Sequence, residues 1–452
     1  MTPTALLRTP HDAHLRDHPH LVEVSRLAFA QQAERLNHNV FRYPAKFHPP
    51  VARALIEGFT KTGETVLDPF CGSGTTLIEA LASGRSAVGT DVDPLAVLVT
   101  KAKIRRYDFD ALASAVDRLR DCLTRMREAD MALWGGLEDE IPTADYISAL
   151  PALAAHVPAL PRIAHWFRRR VTLQLAAIRG LVEAESDNAT RDFLRLCFAA
   201  IIRNASNADP VPVSGLEVTS HMRAKEAKGR TIDPYALFAS VLAKNLSATR
   251  DFETARHASC YGRAAIADAR HLSERGTGPV DAVVTSPPYL TAVDYYRRHT
   301  LEMYWLGLTA TDVERLELLP RYIGRDKVGQ RYMSAGEEEA GEDLARSWLA
   351  PFGDIKPERA RAFTHYCVGM TKALARLAEL VREDGPVIVV VGNVRFSGRP
   401  VSMVDLMIEA ASPRLHLTER LWYPLANRYM SYSRKNEGDI DSDHVLVFRR
   451  RI

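Results

Sequence analysis

Val66-Leu67-Asp68-Pro69-Phe70-Cys71-Gly72-Ser73-Gly74-Thr75-Thr76 passes from an apolar strand through a glycine turn into a helix that opens at Leu77-Ile78-Glu79-Ala80. That order puts the turn at the carboxyl end of a strand, where open parallel sheets hold their ligands. Gly72 and Gly74 allow a sharp turn and a close approach of backbone to whatever is bound. A phosphate loop needs Lys after the last glycine, and Thr75-Thr76 stands there instead. A dinucleotide fingerprint lacks its third glycine, because Leu77 holds that place. On the loop alone, a glycine turn with no ligand stays open as a reading.

Working outward, Ser86-Ala87-Val88-Gly89-Thr90-Asp91 is a second strand, so the segment is a β-α-β unit and the expected fold is α/β with a doubly wound, mostly parallel sheet. Asp91 ends that strand close to the ~20-residue spacing at which an acidic side chain meets a ribose in this topology. Asp93 is its rival, and either carboxylate could instead cap the helix that begins near Pro94. The sheet resumes after Ala265-Ile266-Ala267-Asp268 with Ala282 to Thr285, then Pro386 to Asn393, then Val445 to Phe448. Val387-Ile388-Val389-Val390-Val391 is β-branched throughout, as a strand covered on both faces requires.

Between these halves, Leu112, Val116, Leu119, Leu123 and Met126 step by fours and threes and form one apolar stripe of a core-facing helix. From there to about Arg250 the chain reads as mostly helical, broken by proline at Pro151 to Pro161 and Asp209 to Pro212. Leu21 to Leu36 also has helical periodicity. The expected division is residues 1–106, a mainly helical insertion over 107–255, and residues 256–452, with 307–357 as a further candidate contact region.

With 452 residues, 46% hydrophobic and 25% charged, the chain has an ordinary globular composition. A net charge of +3 permits a polyanion partner without demanding one. Cys71, Cys122, Cys197, Cys260 and Cys367 are scattered, with neither CxxC nor Cys/His ligand spacing, so the expectation is reduced thiols and no metal site. No stretch approaches ~18 apolar residues and the first residues lack a long apolar core, so a cytoplasmic protein with no membrane partner is expected.

A second stretch, Thr285-Ser286-Pro287-Pro288-Tyr289, follows Asp281-Ala282-Val283-Val284 and sits where a buried strand runs out into a loop. Two prolines fix the backbone there and leave an aromatic ring beside the Thr285 and Ser286 carbonyls, a geometry suited to gripping a flat base by its amino group. Together with the glycine loop and the upstream Phe41-Arg42-Tyr43-Pro44-Ala45-Lys46-Phe47-His48-Pro49, the pattern resembles the amino-methylating (cytosine-N4 and adenine-N6) site-specific DNA methyltransferases.

The resemblance implies a class I, Rossmann-like methyltransferase fold that uses S-adenosylmethionine, releases S-adenosylhomocysteine and needs no metal. It implies a cofactor site built from Tyr43, Lys46, Phe47, Asp68, Phe70, Gly72, Ser73, Gly74, Thr75, Asp91 and Asp268. Lys46 would pair with the cofactor carboxylate and Asp268 would accept from its adenine amino group. Ser286, Pro287, Pro288 and Tyr289 are the implied catalytic residues. The Ser286 side chain and a carbonyl near Pro287 would take the two amino N–H groups and favour a tetrahedral nitrogen. The base would leave the duplex and stack on Tyr289.

In this family the first position of the corner is commonly Asp for adenine and Ser for cytosine, so Ser286 favours cytosine N4 in double-stranded DNA. Adenine N6 is the alternative, an RNA base a more distant one, and a DNA-binding module with a vestigial cofactor fold the non-enzymatic one. Methylation at ring carbon five would need a nucleophilic Cys after proline, and the chain has no Pro-Cys pair.

Arg321, Arg325, Lys327 and Arg331 interleave with aromatic and glycine residues after the corner, as phosphate contacts would. Arg168 and Arg169 in Trp166-Phe167-Arg168-Arg169-Arg170, and Arg223 in the basic run at His221 to Arg230, are further DNA-contact candidates, each equally readable as a solvated helix face. The resemblance also leaves room for a cognate restriction endonuclease as a partner.

Overall fold

Short apolar strands assemble into one seven-stranded sheet in the computed structural model, which describes residues 36–134, 151–210, 216–273, 278–290, 294–330, 339–424 and 442–451. The strands are β1 (Thr65–Asp68), β2 (Ser86–Asp91), β3 (Gly262–Ile266), β4 (Ala282–Thr285), β5 (Val387–Gly392), then β6 (Val394–Phe396) and β7 (Arg399–Val401) as a separate two-stranded ribbon, β8 (Leu415–Pro424) and β9 (Ser442–Arg450). The sheet order is β3-β2-β1-β4-β5-β9-β8. β1 to β5 pair in parallel, and β9 runs antiparallel to both β5 and β8.

This is the class I methyltransferase arrangement: a doubly wound parallel sheet closed on one side by a reversed pair. It corrects the sequence reading in one respect. The reversed β9 falls within the mostly parallel sheet that was expected, whereas β6, β7 and β8 had no counterpart in the expected strands.

The topology decides where a ligand can sit. Chain order runs outward from β1 to β2 and β3 on one side, and to β4 and β5 on the other, so the crevice opens above the β1–β4 boundary. The register pairs Val66 with Ala282 and Leu67 with Val283, which brings the ends of β1 and β4 level. β5 is buried at every position, as its unbroken β-branched run requires.

The predicted stripe Leu112, Val116, Leu119 and Leu123 is buried on helix Phe109–Trp134. Helix Pro234–Ala255 packs on it, and helices Arg169–Glu183 and Asn188–Ala205 pack on Pro234–Ala255 in turn. Their apolar cluster also takes in Val40, Leu95 and Val99 from the sheet side, and Leu301, Tyr304 and Trp305 from beyond β4. The Trp305 ring lies 5.6 Å from Phe167 and 6.2 Å from Phe198, edge-on to both. Such pairs add ~0.5–1.5 kcal/mol each beyond area burial. The helical segment therefore shares one core with residues that follow the Ser-Pro-Pro-Tyr corner.

The helix expected over 21–36 lies outside the described residues, except for Leu36 in a turn. No helix among the described residues is long and apolar enough to cross a membrane.

Candidate active site

The glycine turn is held from several directions. Gly72 and Gly74 have φ of 48° and 82°, the left-handed region that side chains with a Cβ disfavour. A Cβ on Gly74 would come within 2.9 Å of the Thr100 side chain, and one on Gly72 within 3.2 Å of the Tyr43 ring. The Thr100 hydroxyl donates to the Gly72 carbonyl at 2.9 Å. The buried Lys103 ammonium donates to the carbonyls of Ser73 at 3.0 Å and His38 at 3.3 Å. Lys103 thus joins the segment before helix Pro49–Phe59 to the turn.

Asp91 closes the turn from β2. Its Oδ2 accepts from the Gly72 N–H at 2.9 Å and its Oδ1 from the Asp93 N–H at 3.0 Å. Each oxygen keeps a lone pair for a further donor. Asp93 is the residue that caps helix Pro94–Ile104, accepting from Leu95 N–H at 2.9 Å, and its other oxygen meets His299 Nδ1 at 2.6 Å. Of the two candidates, Asp93 is committed to the cap and to His299.

Burial, with the neighbouring Asp93 charge, pushes the Asp91 carboxyl up to about 7. Burial raises Asp68 to about 6, against the opposing hydrogen bond from Thr285.

A cleft enclosing about 810 Å³ of space, solvent at its open side included, lies over these residues. Tyr43, Lys46, Phe47, Asp68, Phe70, Gly72, Ser73, Thr75, Asp91, Asp268, Ser286 and Pro288 all line it, so the structure brings the glycine turn, the upstream segment and the corner to one cavity. Gly74 is the N-cap of helix Thr75–Ala82 just behind the wall. Pro287 is buried behind Ser286.

Two expected residues are placed differently. Asp268 reaches the wall, but the Arg270 guanidinium grips both its oxygens, at 2.9 and 2.6 Å. Burial works against ionisation of Asp268, yet the Arg270 bonds and charge hold its carboxyl below the ordinary range. Tyr289 stands beside the cleft, half-buried, because its hydroxyl donates to Asp443 at 2.9 Å.

Sequence reasoning missed the far wall. Tyr295, Tyr322 and Ile323 close the cleft, with Tyr295 stacked on Tyr43 at 5.7 Å. The only sequence signal was aromatic residues after the corner, and tertiary packing alone decides which of them face inward.

The basic candidates separate. Arg321 lines the cleft mouth and is exposed. Arg169, Arg223 and Lys327 are exposed, and Arg325 is half-buried with a long bond to the Leu319 carbonyl. Arg168 is a correction: it donates to Glu226 at 2.7 Å and to the Arg230 carbonyl at 2.7 Å, tying two helical segments together instead of facing outward. Arg331 lies outside the described residues.

The family model N6_N4_Mtase, described as DNA methylase, matches residues 17–101. The chain is 26% identical over 387 residues to Type II methyltransferase M.MvaI of Kocuria varians, covering 82% of this chain and 79% of that one. These matches support the amino-methylating DNA methyltransferase family.

This methyltransferase is also 23% identical over 298 residues to Type II methyltransferase M.BsoBI of Geobacillus stearothermophilus, covering 62% and 54% of the two chains. A shorter match, 38% over 84 residues and 18% of this chain, links it to the tRNA (guanine(10)-N2)-dimethyltransferase of Methanothermobacter thermautotrophicus, of which it spans 25%.

These similarities support S-adenosylmethionine as the cofactor. The cleft fits it chemically: carboxylates of Asp68 and Asp91 suit hydroxyl and ammonium donors, aromatic and apolar walls suit a purine, and the Thr75 hydroxyl is buried there without a hydrogen-bond partner.

Proposed function

We propose that this methyltransferase acts on the exocyclic N4 amino group of a cytosine within a specific site of double-stranded DNA. Amino-group methylation of DNA follows from the family; the choice of cytosine is the finer step. Its support is the placement of Ser286 on the wall of the same cleft as the glycine turn, in the family position where Ser accompanies cytosine. Adenine N6 is the alternative amino group.

When bound, S-adenosylmethionine supplies a methyl group on a cationic sulfur, a leaving group that departs neutral. The chain's part is positional. Asp91, Asp68, Gly72 and Thr75 would hold the cofactor, with Lys46 and Tyr43 over its methionine end. Ser286 and a carbonyl at the proline corner would accept from the base amino group and turn its lone pair away from the ring. The Tyr289 ring, anchored at its hydroxyl, would give an extruded base a fixed plate on which to stack, a contact worth ~1–3 kcal/mol. Holding nitrogen and methyl carbon at attack distance can supply ~7 kcal/mol or more of the barrier reduction. Arg321, with the exposed Arg169, Arg223 and Lys327, would meet phosphates. M.MvaI and M.BsoBI are named as Type II enzymes, which supports a partner restriction endonuclease here.

The test is direct. Duplex DNA is incubated with the protein and methyl-labelled cofactor, digested to nucleosides and separated. N4-methylcytosine is the expected product, and label in N6-methyladenine would overturn the choice of base.

A further inference from the structure

Residues 320–324 form a wall of the cleft that reaches from Asp268 to the proline corner. Arg321, Tyr322 and Ile323 line the cavity together with Asp268, Ser286 and Pro288. At the first end the Pro320 carbonyl accepts two hydrogen bonds, from Arg270 Nη2 at 3.1 Å and from His365 Nε2 at 3.1 Å. A carbonyl can only accept, so Nε2 carries the histidine proton, and the buried Nδ1 has no hydrogen-bond partner among the described residues. Burial pushes His365 down to about 4, which keeps it neutral in this role.

At the other end Gly324 has φ of 86°, and a Cβ there would meet the Tyr289 carbonyl oxygen at 2.9 Å and Pro288 Cβ at 3.3 Å. Glycine therefore lets the segment lie directly on the corner. Between the ends, Ile323 packs on helix Pro357–Leu380, where a Cβ on Gly369 would stand 3.0 Å from it.

Arg270 ties this wall to Asp268 by its fork. Its Nε donates to Asp268 Oδ1 at 2.9 Å and its Nη2 to Oδ2 at 2.6 Å, while its backbone N–H donates to Oδ1 at 3.0 Å. Nη2 carries two protons, and the second is the one that reaches Pro320. Oδ1 is filled, and Oδ2 keeps one lone pair for a donor in the cleft. Both side chains of the pair are only 15% exposed, so little water competes for the link. One guanidinium thus spans a carboxylate of the cleft wall and the segment that ends on the corner.

We infer that Arg270 is a positioning residue that makes residues 320–324 a shared wall for cofactor and DNA, so that each ligand tightens the binding of the other. The inference rests on the function proposed above, in which Arg321 meets a phosphate. A cofactor filling the cleft touches Asp268, Tyr322 and Ile323, and so favours the placement that Arg270 holds. DNA drawn to Arg321 and to the corner favours the same placement. Two ligands that favour one arrangement are coupled, and the coupling has the same size read from either side. Arg270 touches no reacting atom; it acts through Asp268 and Pro320.

The experiment measures the affinity of the full chain for labelled S-adenosylhomocysteine by equilibrium dialysis, alone and with excess unmethylated duplex DNA made by amplification. Wild type is expected to bind S-adenosylhomocysteine about tenfold more tightly when DNA is present. In Arg270→Ala and Arg270→Lys that ratio is expected to fall to about one. A lysine ammonium keeps the charge beside Asp268 but lacks the planar fork that reaches both carboxylate oxygens and the carbonyl at once. His365 still holds Pro320 in both variants, so the segment stays on its helix while its tie to Asp268 is cut. A loss of stability alone would leave the ratio as it was, because it enters both measurements alike.

A wild-type ratio of one, or the wild-type ratio kept in either variant, overturns the inference. If Arg270→Ala shows no cooperative thermal unfolding, Arg270→Lys decides alone. The nucleoside product of the wild type judges the proposed base separately: N6-methyladenine would overturn the choice of cytosine and leave the ratios standing.

Discussion

Thr285 donates its hydroxyl to Asp68 Oδ1 at 2.7 Å, joining residues 217 positions apart in sequence. These are the last residues of β4 and β1, so the bond fixes the glycine turn and the Ser286 corner against each other where both leave the sheet. Thr285→Val removes a donor from a buried carboxylate and should lower stability by ~1–3 kcal/mol in denaturant unfolding of the cofactor-free protein. Thr285→Ser, which keeps the hydroxyl, should recover most of the loss.

Cofactor affinity should weaken on acidification. In the cofactor-free fold Asp91 titrates at about 7 and Asp68 at about 6, each raised from 3.8. Bound donors and a cationic sulfur favour the ionised forms, so binding releases protons below pH ~7 and affinity falls by up to about tenfold per pH unit per proton. Calorimetry in two buffers of different ionisation enthalpy measures the release, and Asp91→Asn should remove most of it.

The same shifts make a stability prediction of opposite sign. Between pH ~4 and ~7 the native state holds protons that the unfolded chain has already lost, so the cofactor-free protein should lose stability as pH rises through that window. Thermal unfolding across the window, with and without S-adenosylhomocysteine, should show the stabilisation by ligand growing with pH.

Gly74→Ala asks a Cβ to take φ of 82° while meeting Thr100 at 2.9 Å. The left-handed backbone alone costs ~1–3 kcal/mol. The variant should unfold at lower denaturant and bind cofactor at least tenfold more weakly by calorimetry. Combining it with Thr100→Ala should relieve the contact but not the dihedral, so only part of the loss returns.

Arg321→Ala and Arg168→Ala should fail in different ways. Arg321 is exposed at the cleft mouth, and its loss should weaken DNA binding alike across sequences and reduce the salt slope by about one. Arg168 is held by Glu226 and the Arg230 carbonyl, so its loss should lower the unfolding temperature and leave the salt slope as it was.

The parts of this molecule that could be read from sequence are those whose signal is local. The β1 turn is legible because glycine conformation and strand periodicity fall within eleven consecutive residues, Val66 to Thr76. β5 is legible because burial on both faces demands unbroken β-branched residues. β8 escaped because its alternation, Leu415 and Leu417, then Leu421 and Tyr423, is interrupted by Thr418-Glu419-Arg420, where the pairing is irregular between Leu417 and Glu419. Asp268 was legible as a cleft residue, but its hold on Arg270, two positions on, was not. Tyr295, Tyr322 and Asp443 reach the corner only through tertiary packing, and nothing in their neighbours' spacing marks them.

Trp305, wedged edge-on between Phe167 and Phe198, bears on how such an enzyme acquires new target preferences. Residues 109–255 cannot be exchanged as a cassette, because a graft would arrive without the Leu301 to Leu306 side chains that complete its hydrophobic interior. A viable chimera must also carry the stretch from Tyr295 to Leu308, so that the helical segment and its packing partners beyond the Ser286 corner are inherited as a single unit.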